Sequence, residues 1–392
     1  MASADAATSQ QTNADRAVAT YNALQRYFRV PGTSLYRETS PWTGGNAYSY
    51  LWPFSRALVG TLALAGVPSR LVGGASYVSV VQDCLNGLAQ YWDAAANLPA
   101  YDSYVVSAGG GDKFYDDNAW VALALVEHHR MGLDATGSSL TLADRLFSFA
   151  ASGWDQLASD PHPGGVFWVQ QGAGLGLTNH DRGAGLNAGN AKLGFNLHDL
   201  TGLAAYSGDG AVVAAAGSLG ATNMFNWVNH YLDSTRTGTG LYWNAVRRDG
   251  SIDTNFWTYT QGEMIGANVL RYRLTGNSVY LQQAQGIASK TLSSFRTFIG
   301  QPPSFNAMCF HDMLRLYAVA SDTSLQAKML QTMQSYADWA WRNAAARDPK
   351  TNLFYFFTDA GQPAAGSGQP AQLRDQGAML QLYALLAWNS WD

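Results

Sequence analysis

Apolar residues return every three or four positions along most of this chain, and that regularity constrains its fold more than any other feature. Twelve segments carry it, near residues 10–29, 48–65, 70–92, 117–131, 140–158, 187–206, 211–232, 260–274, 277–298, 304–320, 323–346 and 371–389. The strict alternation of a half-buried strand is almost absent, so the chain reads as all-α. The segments alternate in character. Those at 277–298 and 323–346 carry a single apolar stripe, for example Leu325, Met329, Met333 and Tyr336, with polar residues opposite. Helices with one wet face belong on the outside. Those containing ALVGTLALAG and AWVALALV are apolar all round and belong where other helices enclose them.

The connections sort in the same way. From an enclosed helix to the next outer one they are short and turn-like: AGVPS, MGLDATGSS, SGDG, LTGNS and ASDTS. In the other direction they are mostly long, at 93–116, 159–186, 233–259 and 347–370, and carry rings in GGVFWVQ, GLYWNAV and NLFYFF. With consecutive helices antiparallel, the long connections gather at one end, over the N-termini of the inner helices. Loops above about 12 to 15 residues are usually functional or disordered, so the binding site is expected at that end. Six inner and six outer helices in alternation describe a closed toroid of six helical hairpins, the (α/α)6 barrel. No Pro/Ser-rich linker interrupts it, and residues 1–392 are expected to form one domain.

Composition narrows the function. The chain is 47% hydrophobic and 13% charged, with 13 Trp and 20 Tyr, enough to fill a large core and leave rings for a site. A net charge of -4, with Lys and Arg scattered singly, gives no electrostatic footprint for nucleic acid. The longest apolar run, Ala57–Val67, is well short of the roughly 20 residues of a membrane helix, and no membrane partner is expected. The start MASADAATSQQTNADR has neither the basic nor the apolar region of a signal peptide. Its small residues suit a mature protein behind an added Met, so a secreted or cell-surface location is expected, with the signal peptide already removed. A monomer is expected. Cys84 and Cys309 allow one disulfide or two thiols; both sit in helical patterns, which favours buried thiols.

The stretch GGGDKFYDDNAW, residues 109–120, places two adjacent carboxylates, Asp116 and Asp117, where a long loop enters an enclosed helix. Capping explains one carboxylate at a helix start, since Asp accepts from free backbone N–H groups and suits the dipole. It does not explain two that repel each other ahead of a helix too apolar to be wet. The glycines before them would let a ligand approach closely. Glycoside hydrolysis has a use for such a pair: one carboxyl donates a proton to the leaving oxygen and the other is ionised, about 5 to 5.5 Å apart in retaining enzymes. Like charges in one site also push the two pKa values apart, leaving one acid and one anion.

YDDNAW, with GGVFW at 164–168, WTYTQGEMIGANVLRYRLTGNSVYLQQA at 257–284 and LRDQGAMLQLYALLAW at 373–388, resembles glycoside hydrolase family 76, the endo-α-1,6-mannanases, over most of the chain. The family's NQG stands here as Thr260-Gln261-Gly262. The resemblance implies an (α/α)6 barrel and endo-acting, retaining cleavage of α-1,6-linked mannan backbones. By that match Asp116 is the nucleophile and Asp117 the acid/base. The α-mannan polysaccharide or oligosaccharide is the expected partner.

Other inner-helix starts offer rings and polar groups of the kind that stack on pyranose faces and read hydroxyls. They are Trp52, Tyr115, Asn187, Tyr259, Gln261, Phe305, His311 and Arg374, with Trp168 and Asp253 on the long loops. For Asp253, in DGSID, a turn role competes. Other chemistries lack their context. GAGLGL at 172–177 and GAGLNAG at 183–189 resemble dinucleotide loops, but no strand precedes either. There is no HExxH, CxxC or calcium loop, so neither metal nor cofactor is expected, and no GxSxG for a serine nucleophile. Two alternatives to hydrolysis remain: a transglycosylase on α-mannan using the same site, and a non-catalytic glycan-binding toroid, against which the intact aspartate pair argues.

Overall fold

The computed structural model of the chain describes residues 4–170, 179–208, 219–236, 238, 240–357 and 361–388. Among them, twelve helices of 11 residues or more alternate between two concentric rings. The inner ring is α2 (Leu51–Ala65), α4 (Tyr115–Arg130), α6 (Ala184–Thr201), α8 (Thr258–Thr275), α10 (Pro303–Val319) and α12 (Leu373–Ala387). The outer ring is α1 (Ala4–Phe28), α3 (Val78–Leu88), α5 (Ser138–Ser152), α7 (Ala221–Tyr231), α9 (Ser278–Phe295) and α11 (Thr323–Arg342). Each inner helix packs on the next, and α12 closes the ring against α2 while α1 covers it from outside. The all-α toroid expected from the periodicity is the fold.

Burial follows the two residue patterns. Helix α6 is buried without a break from Ala184 to Leu197, as an enclosed helix must be. Helix α11 buries Leu325, Met329, Met333 and Tyr336 and exposes the opposite side. The expected segment 211–232 contains α7, but its residues 211–218 lie outside the described ones, as do GAGLGL at 172–177 and Asp209 and Gly210 of SGDG. GAGLNAG at 183–189 opens α6, and its residues from Ala184 onward are buried within the inner ring. Cys84 on α3 and Cys309 on α10 are buried free thiols.

At the seam where α12 meets α2, two glycines let the backbones touch. A Cβ on Gly377 would stand 2.6 Å from the carbonyl group of Arg56, and one on Gly60 would stand 2.6 Å from the carbonyl oxygen of Gly377. No larger residue fits either place without pushing the helices apart.

The long connections lie together at the N-terminal end of the inner ring and are pinned by pairs too short for alternation to reveal in sequence. Thr39–Ser40 pairs antiparallel with Ala371–Gln372, tying the loop before α2 to the loop before α12. Trp92–Asp93 pairs with Ala100–Tyr101, and Ala245–Val246 lies between Arg182–Gly183 and Ile252–Asp253. Ion pairs add to these: Lys113 with the half-buried Asp93 and the buried Asp102 at 2.8 and 2.5 Å, and Arg182 with the buried Asp155 at 2.6 Å.

Candidate active site

The site is built from the first turn of each inner helix, and position within that turn decides what a side chain does. The fourth residue is an amide in five of the six: Asn118, Asn187, Gln261, Asn306 and Gln376. Each turns away from the barrel axis and hydrogen-bonds loop backbone. Asn187 accepts from the Val166 N–H at 2.7 Å and donates to Gly183 O at 2.9 Å. Gln261 accepts from the Tyr242 N–H at 2.8 Å and donates to the carbonyls of Tyr242 and Trp257 at 3.0 and 3.1 Å. Asn118 does the same at Tyr101, and Gln376 accepts from the Phe354 N–H. Buried backbone groups of the loops are thereby satisfied.

The residues just before the helix, and the second and third within it, face the barrel mouth. There they enclose a cavity of two lobes, of about 440 and 410 Å³. Asp116, Trp168, Tyr259 and Phe305 line both lobes. Tyr50, Trp52, Phe114, Asp117 and Trp120 belong to the first. Asp181, Asn244, Trp257 and Arg374 belong to the second. Phe305 and Tyr259 are in ring contact at 4.4 Å between centroids, so the floor at the junction is aromatic.

The two aspartates sit in the first turn of α4 without capping it, for the cap position is Phe114 in extended backbone. Their surroundings differ. Asp116 accepts two hydrogen bonds, from the Asp117 N–H at 2.9 Å and from the Trp168 indole N–H at 3.0 Å. Among the described residues no donor is aimed at the Asp117 carboxyl. Burial raises the Asp116 carboxyl to about 6, with those two donors opposing the rise. Asp117 is raised well above the usual carboxylate range, first by burial and then by the Asp116 charge, with Arg56 opposing. As pH rises, Asp116 therefore ionises first and Asp117 holds its proton longer.

Of the residues expected at the site, the structure brings together Trp52, Asp116, Asp117, Trp168, Tyr259, Phe305 and Arg374. It places five elsewhere. Tyr115 is the first residue of α4 and turns outward, stacked on Phe149 at 4.6 Å. Asn187 and Gln261 hold loops, as described. Asp253 accepts from Asn244, Arg247 and Asn255 in the loop before α8, the turn role weighed against sugar binding. His311 lies deeper along the axis, beside Lys192 and Arg315, and is held neutral by burial and those cations. Gly110 and Gly111 pack against Asp102 and Ser103, so they shape a turn and do not face a ligand. Tyr50 and Trp257, absent from the expectation, share one signal with Phe114: each is the aromatic residue directly before an inner helix.

Known proteins agree with this architecture. A family 76 mannosidase from Bacteroides thetaiotaomicron VPI-5482 superposes with a TM-score of 0.78 at 19% identity, over 96% of this chain and 98% of that one. An inactive variant of the α-1,6-mannanase GH76A of Salegentibacter sp. HEL1_6, with two consecutive aspartates changed to asparagine and α-1,6-mannotriose bound, gives 0.70 at 16% identity over 96% and 99%. Dfg5 from Chaetomium thermophilum, in complex with glucosamine, gives 0.68 at 15% over 96% and 90%. No curated protein matches by sequence. The profile of Glycosyl hydrolase family 76 matches residues 7–381, nearly the whole chain. The chain thus belongs to glycoside hydrolase family 76 and is a glycosidase.

Proposed function

We propose that this glycosidase is an endo-acting, retaining enzyme that cleaves α-1,6-mannosidic linkages in mannan backbones, with Asp116 as nucleophile and Asp117 as acid/base. The observation that carries the reading is the unequal treatment of two neighbouring carboxyls in one cavity wall. Asp116, supplied with two N–H donors, is the one suited to be ionised, and Asp117, supplied with none by the described residues, the one suited to keep its proton. Asp116 attacks the anomeric carbon while Asp117 protonates the departing oxygen. Asp117 then takes a proton from the water that releases the glycosyl group. The lobes on either side of Asp116 accommodate a chain that continues both ways, as internal cleavage requires. A Salegentibacter relative held α-1,6-mannotriose after loss of an adjacent aspartate pair, and this supports the linkage assigned here. The whole chain acts as one secreted or cell-surface catalytic domain.

Incubation with α-1,6-, α-1,2- and α-1,3-linked mannans, with product sizing and proton NMR of the first-formed anomer, tests the reading. Intermediate-length oligosaccharides from the α-1,6 polymer, released first as the α anomer, are expected. Release of monosaccharide alone, cleavage confined to another linkage or a β anomer overturns it, and products longer than the substrate assign glycosyl transfer instead. Asp116→Asn abolishes turnover on every substrate, since an amide cannot form the glycosyl bond. Asp117→Ala slows cleavage of native mannan by roughly 10²- to 10⁴-fold. It leaves the first step on an activated aryl α-mannoside, from which azide releases the α-mannosyl azide.

A further inference from the structure

Beneath the catalytic cavity, along the barrel axis, the inner ring encloses a chamber of about 60 Å³ in which six charged side chains stand among apolar ones. Most of these charges are paired. Lys192 contacts Glu263 and Asp312, each at 2.7 Å, and Arg315 contacts Asp312 and Glu127 at 3.4 and 3.1 Å. One cation stands apart. Arg56 is 3% exposed, its Nε has no hydrogen-bond partner, and among the described residues no carboxylate forms an ion pair with it. A buried guanidinium without a close counter-charge is expensive to keep, so its position calls for a cause.

That position is between the two cavities. Arg56 lies one turn along α2 from Trp52 and stands 4.7 Å from the centre of its ring, so the ring that lines the sugar cavity separates Arg56 from a ligand. Its own walls are those of the lower chamber, where Glu263 faces it from α8. Burial holds the Arg56 guanidinium below its usual range, opposed by Glu263, which lines the same lower chamber, and by Asp117, which lines the upper cavity with Trp52. The charges acting on Asp117 are Asp116 on its own helix, Arg56 from α2 and Glu38 from the loop before α2. From α10, His311 faces the chamber in its neutral form and adds no charge of its own.

We propose that Arg56 is a positioning residue for the acid/base: its charge, shared between Asp117 and Glu263, sets the proton affinity of Asp117 without touching substrate. This rests on the assignment of Asp117 as acid/base in the proposed function. The acid/base must give its proton in one step and accept another in the next, and burial alone would hold the proton too tightly for the second. Arg56 supplies the opposing charge from behind a hydrophobic screen, and Glu263 moderates it.

The signs separate this from a packing role. Loss of a cation raises a neighbouring acid's pKa, and loss of a competing anion lowers it. Arg56→Met is expected to move the basic limb of the kcat/KM–pH profile on α-1,6-mannan upward by about one unit. Glu263→Gln moves it downward, and Arg56→Lys restores the wild-type limb. The same shifts are read without turnover from the ¹³Cγ resonance of Asp117 in aspartate-labelled protein, assigned by its absence in Asp117→Asn. If Arg56→Met does not fold, the direction of the Glu263→Gln shift decides: downward supports the proposal. A resonance unmoved in Glu263→Gln, or moved the same way in both variants, overturns it. Wild-type protein inactive on α-1,6-mannan overturns the substrate reading instead and leaves the NMR titration to judge Arg56.

Discussion

At the scale of single residues, the two aspartates are chemically identical neighbours made different by their surroundings, of which one indole is the most accessible to test. The Trp168 N–H reaches Asp116 from a loop that joins α5 to α6, and among the described residues nothing equivalent reaches Asp117. A donor to the ionised form lowers a carboxyl's pKa, so its removal raises it. Trp168→Phe, which keeps a ring over the cavity but loses the donor, is expected to move the acid limb of the kcat/KM–pH profile upward by about one unit from its place near pH 6. Activity is lost mainly below that limb and recovers at higher pH. An acid limb left in place would show that the indole serves only as a stacking surface. Asp116, Asp117 and the aromatic platform were legible in the sequence because their chemistry is unusual for a helix start. The Trp168 bond was not, because it joins residues 52 positions apart through a loop whose path no pattern specifies.

At the scale of elements, the alternation of helices was legible because apolar periodicity is a long-range average that small errors in a boundary do not disturb. The orientation of individual side chains is not so forgiving. Helix α4 begins at Tyr115 and α8 at Thr258, each two residues before the start read from sequence. Two residues amount to about 200° of rotation at 3.6 residues per turn, enough to turn a predicted sugar contact into the back of the helix. Asn187 and Gln261 are amides, equally suited to reading hydroxyls or backbone, so composition could not say which they do. The recurrence of an amide at the fourth position of five inner helices was the overlooked signal. Gln261→Ala leaves the buried N–H and C=O of Tyr242 without their partner and is expected to cost about 1–3 kcal/mol. Lower thermal midpoints and faster amide exchange through residues 240–257 would register it. Unchanged exchange at Tyr242 would mean that the loop is held by its other contacts.

For the whole molecule, the decisive element is the seam. Five inner interfaces join helices that follow one another in the ring by one hairpin, but the sixth joins α12 to α2, the last inner helix to the first. Because the atoms facing Gly377 are backbone, an added methyl group cannot be absorbed by a rotamer change. Gly377→Ala is expected to cost about 3 kcal/mol, at the upper end for overpacking, and to lower activity as Arg56 and Arg374 are displaced on either side of the seam. Calorimetry with kcat/KM on α-1,6-mannan checks both; full stability with full activity would show that the helices part without consequence. The seam also imposes an order in time. A ribosome delivers Asp116, Asp117, Trp168 and Tyr259 long before it delivers Leu373–Ala387, and until then α2 lacks the helix it packs on most and the ring cannot close. Completion of the last helix, more than synthesis of the aspartates, is the moment at which the enzyme comes into being.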